Sequence, residues 1–278
     1  MSTSRQLIIN ADDFGFTRDV NEGIVEAHEK GILTSTTLMA NGEAFVDAVH
    51  RARHTPTLDV GAHLVLVGGD SLIPPYQRLP ATVPELLAAI AARRLRIYDE
   101  LVAQVRRILA AGIPLSHLDT HKHTHLLPPV LDAVARIARE FGIPWVRRPF
   151  DFPMGVLPPG VSWLRRTSND GLRFLRKRFD LVLARHGCRT TDHFAGFQLT
   201  GLLRTRELGR LIRSLPPGLT EFMCHPGRCG EDLQGAPTRL KESRERELEA
   251  LLAQEAREAL REAQVELIAF PRLEPLAG

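Results

Sequence analysis

A histidine-rich stretch, Leu115–Pro129, carries the residues whose types and spacing are best suited to chemistry. Four of the eleven histidines fall within nine residues there, and an aspartate lies among them: His117, Asp119, His121, His123 and His125. A β-strand would direct all five side chains to one face, whereas an α-helix would pair only His121 with His125. Imidazoles are the commonest protein ligands for divalent metals. The stretch therefore predicts a metal site, with a polar loop carrying incidental histidines as the alternative.

Short apolar runs, typical of buried strands, end at other residues of the same chemical types. The residues at these predicted strand ends are Asp12, Asp13, His63, His121 and His225. In a (β/α) barrel the carboxyl ends of all strands share one face, where active sites are built. One metal site accounts for all five residues at once. Taken separately, either aspartate could cap the following helix, His63 could be a core histidine, and His225 could shape a turn.

Such a set of side chains supports metal-assisted hydrolysis. One carboxylate and two imidazoles can hold a divalent ion and leave positions open for water and substrate. The ion polarises a carbonyl oxygen and lowers the pKa of its bound water. A second carboxylate can accept the proton of that water, and a histidine across the site can protonate the leaving amine. Adjacent aspartates suit this division, since neighbouring side chains along a strand point apart.

The elements that must position these side chains alternate regularly along the chain. Apolar and β-branched runs predict eight strands: Leu7–Ile9, Thr34–Asn41, Leu58–Val67, Leu115–His121, Trp145–Arg148, Asp192–Phe197, Leu219–Cys224 and Val265–Phe270. Helical patterns lie between them, the last a single long charged helix over Lys241–Glu262. Alternating strands and helices favour an irregular, TIM-like (β/α) barrel of seven or eight mostly parallel strands. We expect one domain over residues 1–278, with inserted segments near 68–84 and 150–190.

Composition narrows the functional classes. The 278-residue chain is 44% hydrophobic and 25% charged, as in ordinary soluble globular proteins. Its 36 basic and 33 acidic side chains give a net charge of +3, which is no nucleic-acid signature. We interpret the arginine clusters Arg147–Arg148, Arg165–Arg166 and Arg173–Arg178 as solvated helix faces, with a docking surface for an anionic substrate or membrane as the alternative. The three cysteines lack the spacing of a zinc site or a disulfide framework, which fits reduced thiols in a cytoplasmic protein. No apolar stretch approaches the ~18 residues of a membrane helix.

Five ordered motifs resemble the YdjC-type carbohydrate deacetylases, which include the chitooligosaccharide deacetylases. The motifs are INADDFG at Ile9–Gly15, TSTTLMANG at Thr34–Gly42, VGAHLVL at Val60–Leu66, HLDTHKHTHLLP at His117–Pro128 and MCHPG at Met223–Gly227. The resemblance covers most of the chain and is weakest over Phe150–Thr190 and at the C-terminus. It implies an irregular (β/α) barrel and the removal of N-acetyl groups from amino sugars. It also implies one divalent metal ion, usually assigned as magnesium, with zinc as the alternative.

Carried over position by position, the resemblance implies a role for each candidate residue. Asp13, His63 and His121 would bind the metal. Asp12 would be the catalytic base, and His225 lies where the family has a histidine opposite that base.

The other histidines of the stretch remain as alternatives. His125 is a reserve ligand, because its i+4 spacing from His121 would suit a helix. His123 is a second reserve ligand or a substrate-binding residue. The family's usual histidine after His121 is Lys122 here, so position 122 is not expected to bind metal.

Two segments make the chain more similar to family members associated with hopanoid biosynthesis than to the chitobiose enzymes: the basic Trp163–His186 region and the Gly68–Pro80 insert. This similarity implies an N-acetylglucosaminyl group on a hopanoid glycolipid as the substrate. We expect the amphipathic Trp163–Arg178 region to cover the substrate entrance, which suits a cytoplasmic protein with peripheral membrane contact. A chitooligosaccharide deacetylase, a metal-dependent phosphoesterase and a non-catalytic binding protein are the alternatives. The oligomeric state is open, and a homodimer is one option.

Overall fold

Strand β1 is the central strand of the molecule. The structure, a computed structural model, describes residues 4–153 and 175–270. These residues form eight strands: β1 (Arg5–Phe14), β2 (Ser35–Leu38), β3 (Asp59–Leu64), β4 (His117–Thr120), β5 (Trp145–Val146), β6 (His193–Ala195), β7 (Gly218–Cys224) and β8 (Val265–Leu267). All pairings between them are parallel, in the order β5-β4-β3-β2-β1-β7-β6, and β8 pairs with the start of β1. The predicted parallel α/β architecture is confirmed.

The sheet curls so that its two edges approach each other. Arg147, directly after β5, lies 2.7 Å from Asp12 on β1 and 2.7 Å from Glu221 on β7. A bridge between Asp151 and Phe194 connects the segment after β5 to β6 at the opposite edge. Short strands and closure through isolated bridges make the barrel irregular, as expected.

Helices alternate with the strands and cover the outer face of the sheet. Their bounds are α1 (Arg18–Glu29), α2 (Phe45–His54), α3 (Val83–Ala91), α4 (Ile97–Ala110), α5 (Pro128–Glu140), α6 (described over 175–185), α7 (Thr205–Arg213), α8 (Glu231–Gly235), α9 (Glu242–Leu252) and α10 (Gln254–Glu262). Thr17 caps α1 by accepting the Val20 N–H at 3.2 Å. Neither Asp12 nor Asp13 is therefore needed as the cap of that helix.

The two faces of the sheet bury different chemistry. The odd-numbered residues from 7 to 11 on β1 join the main hydrophobic cluster beneath the helices, as period-two alternation requires. Ile8 points to the other side and packs with Trp145 and Phe270 at the barrel floor. Above this floor the barrel interior is polar, and its buried residues include Asn10, Asp12, His117, Asp119 and Glu221.

A glycine makes room for one side chain of this polar interior. The His117 ring lies against Gly61 on β3, where an added Cβ would come within 2.6 Å of the ring. His117 contacts Asn10 at 3.2 Å and Ser116 at 2.7 Å, and its ring stacks on Phe270 with 3.9 Å between centroids. His117 is thus part of the barrel packing, below the strand ends.

The predicted single helix over Lys241–Glu262 is wrong. Two helices, α9 and α10, occupy the segment and are separated by Ala253, whose backbone is extended (φ −62°, ψ 141°). Helix α9 packs against both α1 and α7, whereas α10 packs against α7 and β8, so the chain changes direction to follow the curved sheet. Arg257 binds the carbonyl oxygen of Leu252 at 3.4 Å and so satisfies one of the carbonyls freed at the break.

The interpretation of Arg147–Arg148 as a solvated helix face is wrong for Arg147. This residue is 1% exposed and lies inside the barrel, because carboxylates from other strands surround it. The side chains of residues 176–178 on α6 are exposed. Arg165–Arg166 and most of the Trp163–Arg178 region lie outside the described residues, so the predicted substrate cover stays a prediction. Within the described ranges, no helix is both long and apolar enough to cross a membrane.

Candidate active site

Three side chains from separate strand ends converge at the top of the barrel. The Oδ1 atom of Asp13 lies 3.3 Å from Nε2 of His63 and 3.2 Å from Nδ1 of His121. The two ring nitrogens are themselves 3.3 Å apart. Asp13 and His63 are buried, whereas the His121 side chain is 26% exposed, so the cluster opens on one side. These three residues form a group that could hold a metal ion.

An irregularity in β1 lets two adjacent aspartates approach the same site. The register between β1 and β2 shifts near the end of β1, and Asp13 has a φ of 71°. Aspartate tolerates this left-handed conformation better than most residues, and bulges often re-aim side chains next to active sites. The expected opposition of neighbouring side chains therefore does not hold here. Asp12 also lies near His63: together with Asp119, these two residues form a second group whose possible ligand atoms are close to one another.

The histidine-rich stretch is neither one strand nor one α-helix. Strand β4 ends at Thr120, and His121–Leu126 forms a 3-10 turn. Lys122 (φ 55°) and His123 (φ 52°) both have left-handed backbone conformations, which interrupt the two-residue and 3.6-residue periods. Neither alternative therefore applies, because the five polar side chains do not share one strand face and His121 does not pair with His125 on an α-helix. The turn directs His121 toward the cluster but sends the residues after it elsewhere.

His125 and His123 have their own surroundings. The Nδ1 atom of His125 contacts the Thr120 hydroxyl at 2.5 Å, and its Nε2 contacts the carbonyl oxygen of Arg147 at 3.0 Å. Both ring nitrogens of His125 are thus engaged away from the cluster. His123 packs edge-on against Phe194, with 6.1 Å between ring centroids. Its Nδ1 atom is buried without a hydrogen-bond partner among the described residues, so it stays a predicted substrate contact.

Asp119 orients His63. Its Oδ1 lies 2.6 Å from Nδ1 of His63, and the Thr37 hydroxyl donates to its Oδ2 at 3.2 Å. A carboxylate on Nδ1 places the ring proton there and leaves Nε2 free to bind a metal. Burial lowers the pKa of His63, but the charges of Asp119 and Asp12 outweigh burial and raise that pKa to about 10. Without metal the ring therefore also carries a proton on Nε2, and a bound ion would displace that proton.

Arg147 connects the second aspartate to this arrangement. Its guanidinium donates to both carboxylate oxygens of Asp12 at 2.7 Å, and it contacts Asp119 at 2.6 Å and Glu221 at 2.7 Å. All four residues are buried. Burial raises the pKa of Asp12; Arg147 opposes this change, and the net shift is upward. A fixed carboxylate with a raised pKa beside a metal-ligand cluster suits a general base.

His225 follows strand β7 and is 8% exposed. Its backbone N–H donates to Oε2 of Glu247 at 2.6 Å, which fixes the main chain at this point. In the described part of the chain, its Nδ1 atom is buried without a hydrogen-bond partner. Burial lowers the pKa of His225 to about 3, although the charge of Asp13 acts in the opposite direction. The ring is therefore neutral in the resting protein.

Five buried charged residues of the site received no functional role from the sequence: Asp119, Arg147, Glu221, Arg244 and Glu247. Arg244, on α9, donates to Oδ2 of Asp13 at 2.5 Å. Burial raises the pKa of Asp13, but Arg244 and the two cluster histidines lower it well below its usual range. Asp119 precedes His121 by two residues, and on a strand this spacing places both side chains on one face. That spacing could have indicated that Asp119 belongs to the site. Arg244 lies in a segment of mixed charge that is typical of an exposed helix, so no local signal marks it.

The donor set and its spacing fit a divalent cation. Oδ1 of Asp13 is buried, yet it has no partner with hydrogen-bond geometry in the described ranges. A cation between the three residues would satisfy this oxygen and both ring nitrogens. With metal–ligand bonds of about 2.0–2.1 Å, two ligands at a tetrahedral angle lie about 3.3–3.4 Å apart. The observed separations of 3.2, 3.3 and 3.3 Å are close to that value.

Comparison with known proteins identifies the family. A sequence profile described as "YdjC-like protein" matches residues 6–262. The chain belongs to the YdjC family. The resemblance seen in the five sequence motifs is thereby confirmed, and every residue of the site described above lies inside the matched range.

Individual relatives of this YdjC chain align over nearly its whole length. A carbohydrate deacetylase from Brevibacillus brevis is 35% identical over 277 residues, which cover 96% of this chain and 99% of the relative. A carbohydrate deacetylase from Vibrio vulnificus is 32% identical over 286 residues, with 96% of each chain covered. A solved structure from Enterococcus faecalis V583, described as a proposed cellobiose-phosphate cleavage protein, has a TM-score of 0.74 and 25% identity, and the match covers 96% of this chain and 98% of that one.

Proposed function

We propose that this YdjC family member is a metal-dependent carbohydrate deacetylase that removes the N-acetyl group from an N-acetylglucosamine-type sugar. The observation that supports this most directly is the convergence of Asp13, His63 and His121 at the strand ends. Asp12 and His225 lie beside this cluster without belonging to it. Relatives that align over nearly the full chain are named carbohydrate deacetylase. The reaction would be hydrolysis of an amide, with acetate and a free amino sugar as products.

The ligand set favours zinc or a similar transition-metal ion over magnesium. Asp13 supplies one oxygen, and His63 and His121 supply two ring nitrogens. Imidazole suits zinc and its neighbours, whereas magnesium prefers oxygen ligands and keeps several of its waters. The family resemblance implies magnesium. We nevertheless propose zinc, because of the donor chemistry of this chain. When bound, such an ion would polarise the acetyl carbonyl and lower the pKa of a water molecule.

Asp12 would accept the proton of the attacking water. Both of its oxygens are held by Arg147 at 2.7 Å, so the carboxylate has a fixed orientation. Its raised pKa matches the requirement that a base hold a proton during the reaction. Arg147 also binds Asp119, which orients His63. The guanidinium would thereby fix the base relative to one metal ligand.

His225 would deliver a proton to the departing amine. The resting imidazole is neutral because burial lowers its pKa to about 3. The ring must therefore take up a proton from solvent during the reaction, when negative charge develops on the substrate and favours the charged imidazolium. Asp12 returns to solvent the proton that it accepted from the attacking water. The buried Nδ1 atom of His225 has no hydrogen-bond partner among the described residues, so no other side chain engages the ring at that atom.

We propose an N-acetylglucosaminyl hopanoid as the substrate, and this proposal rests on sequence similarity alone. Its support is the Gly68–Pro80 insert and the basic Trp163–His186 region, half of which (163–174) lies outside the described residues. A cytoplasmic location with peripheral membrane contact, and a homodimer, stay predictions of the sequence. Flotation with liposomes of anionic lipids tests the membrane contact; no binding at low salt would count against it.

Acetate release is the test of the proposed reaction. Metal-free protein would be reloaded with zinc or magnesium and incubated with N-acetylglucosamine, diacetylchitobiose and an N-acetylglucosaminyl hopanoid. We expect acetate from at least one sugar, and more with zinc than with magnesium. No acetate from any substrate with either metal would refute a deacetylase. Acetate from diacetylchitobiose but not from the lipid would favour a chitooligosaccharide deacetylase, and phosphate release from a phosphomonoester would favour a phosphoesterase.

Metal content tests the ligand assignment independently of turnover. Alanine at Asp13, His63 or His121 should each reduce the bound metal measured by elemental analysis. Alanine at His125 should leave the metal content unchanged, because both nitrogens of that ring are engaged elsewhere. Full metal occupancy in the first three variants would exclude this ligand set.

A further inference from the structure

Helix α9 brings two buried charged side chains to the candidate active site. Arg244 and Glu247 are each 1% exposed, and their i, i+3 spacing places them on one face of the helix. Arginine and glutamate are almost never buried to this extent unless they are paired. Each of these two side chains binds a different part of the site.

Arg244 holds one oxygen of Asp13. Its Nη2 donates to Oδ2 at 2.5 Å, while Oδ1 of the same carboxylate faces His63 and His121. The guanidinium therefore occupies the oxygen that could otherwise bind the same cation. Asp13 is restricted to binding through Oδ1, which keeps one coordination position free for water or substrate.

Glu247 holds the main chain at His225. Its Oε2 accepts the His225 N–H at 2.6 Å, and its Oε1 accepts the Gly201 N–H at 3.1 Å. The carboxylate thus joins the end of β7 to the loop that follows β6. Because the bond uses the backbone of His225, the imidazole itself stays available to the site.

The segment His225–Gly227 is confined from two sides. The Gly227 N–H donates to the carbonyl oxygen of Arg244 at 3.2 Å, so α9 binds this segment at two points. On the other side, α1 approaches so closely that a Cβ on Gly23 would lie 2.5 Å from the Gly227 Cα. The segment has little freedom to move while these contacts persist.

We propose that Arg244 and Glu247 are positioning residues that set two parts of the site from one helix face. Arg244 fixes the way in which Asp13 presents its oxygen to a cation. Glu247 fixes the place of His225 relative to that cation. The second role rests on the proposed function, in which His225 delivers a proton, whereas the first role requires only that the cluster binds metal.

Metal titration separates the two roles. The zinc dissociation constants of metal-free wild type, Arg244→Lys, Arg244→Gln and Glu247→Gln would be measured by competition with a chromophoric chelator, together with melting temperatures. Lysine keeps the charge of Arg244 but lacks its planar fork of donors. We expect zinc to bind about 10–100-fold more weakly to Arg244→Lys, as for other residues that orient metal ligands. Arg244→Gln should lose less affinity, because it also removes a positive charge that repels the cation. Glu247→Gln should bind zinc as the wild type does but should show a lower kcat for acetate release at an unchanged KM.

Arg257→Gln is the matched control. Arg257 is a half-buried arginine on α10 that binds the carbonyl oxygens of Lys30 and Leu252. This variant should melt at a lower temperature with unchanged zinc affinity, which separates general destabilisation from an effect on the site.

Three results would overturn the proposal. Wild-type zinc affinity in Arg244→Lys would remove the role of Arg244. A normal kcat in Glu247→Gln would remove the role of Glu247, and a loss of zinc affinity there as large as in Arg244→Lys would contradict the division between them. The titration needs no turnover, so weakened zinc binding in Arg244→Lys without acetate release from any protein would refute the proposed function and leave the Arg244 assignment standing.

Discussion

Replacing Asp12 with asparagine separates the proposed base from the rest of the site. Asparagine has nearly the shape of aspartate but cannot accept the proton of the attacking water. Its amide keeps one oxygen for Arg147 and turns an NH₂ group toward the other guanidinium nitrogen, which is itself a donor. The variant therefore loses the base and one of two charge-assisted hydrogen bonds.

The two losses have different magnitudes and different readouts. A positioned general base contributes about 10²–10⁴-fold in rate, or roughly 3–5 kcal/mol of barrier. Removing one partner of a buried ion pair typically costs about 3–5 kcal/mol of stability. Arg147 keeps Asp119 and Glu221 at 2.6 and 2.7 Å, so we expect a cost at the low end of that range. A domain of ordinary stability, about 5–15 kcal/mol, would stay folded.

Glu221→Gln controls for the change in charge around Arg147. The Nε atom of Arg147 contacts only Oε1 of Glu221 at 2.7 Å, and Oε2 has no hydrogen-bond partner in the described part of the chain. The new NH₂ group can therefore take the place of Oε2 without facing the guanidinium. Above pH 7, where Glu221 is ionised because its pKa is about 7, both variants remove one negative charge from the same arginine, but only Asp12→Asn removes the proposed base.

The assay is acetate release per bound metal, with the melting temperature and metal content of each variant. We expect Asp12→Asn to lose about two to four orders of magnitude in turnover while it retains its metal, and Glu221→Gln to lose far less. Near-normal turnover in Asp12→Asn would show that Asp12 is not the base. Equal losses in the two variants would mean that the charge balance at Arg147, and not proton transfer, controls the rate.

Three further perturbations test other parts of the structure. Burial lowers the pKa of His117 to about 3 and that of His125 to about 4, below the ordinary value of 6.5. The stability that the folded protein gains from keeping these two rings neutral is therefore complete above pH 6.5 and is lost as the pH falls. At pH 5.5 each should reduce the free energy of unfolding by about 1.4 kcal/mol; denaturant titrations should show a weaker pH dependence in His125→Asn but not in the exposed control His54→Asn. Gly61→Ala should cost about 1–3 kcal/mol because its Cβ would lie 2.6 Å from the His117 ring, and an unchanged melting temperature would contradict that packing. Metal added at about 100 times its Kd should stabilise the chelator-treated protein by about 2.7 kcal/mol, and an unchanged unfolding midpoint would contradict a metal site in the folded state.

The strands were predictable because parallel strands that are covered on both faces form nearly continuous apolar runs. Each of the eight predicted runs overlaps an observed strand. The largest difference is at β1, which continues through its polar residues to Phe14. Asp12 and Asp13 therefore lie within the strand and not after it, and the bulge there could not be inferred from an apolar pattern.

The buried arginines were not predictable from local sequence. Arg147 stands next to Arg148, and Arg244 lies in a segment of mixed charge, so both look like surface positions. Each is buried because a carboxylate from a distant part of the chain reaches it: Asp12 is 135 residues from Arg147, and Asp13 is 231 residues from Arg244. Sequence periodicity reports which side chains share a face of one element. Pairing across the barrel depends on which strands become neighbours, and no local pattern contains that information.

The charges buried around the site give a physical reason why it should bind a divalent cation. Arg147 and Arg244 face four carboxylates from three strands: Asp12, Asp13, Asp119 and Glu221. If all are ionised, two positive charges stand against four negative ones, and an excess of two buried negative charges is costly without compensation. The titratable groups reflect this field: burial raises the pKa of Glu221 to about 7, and Asp119 and Asp12 raise that of His63 to about 10 against the effect of burial. With a pKa of about 10, His63 holds a proton that offsets half of this excess, whereas a divalent ion in place of that proton would offset all of it. The charge pattern of the whole barrel interior would therefore favour a bound cation, in addition to the three candidate ligands.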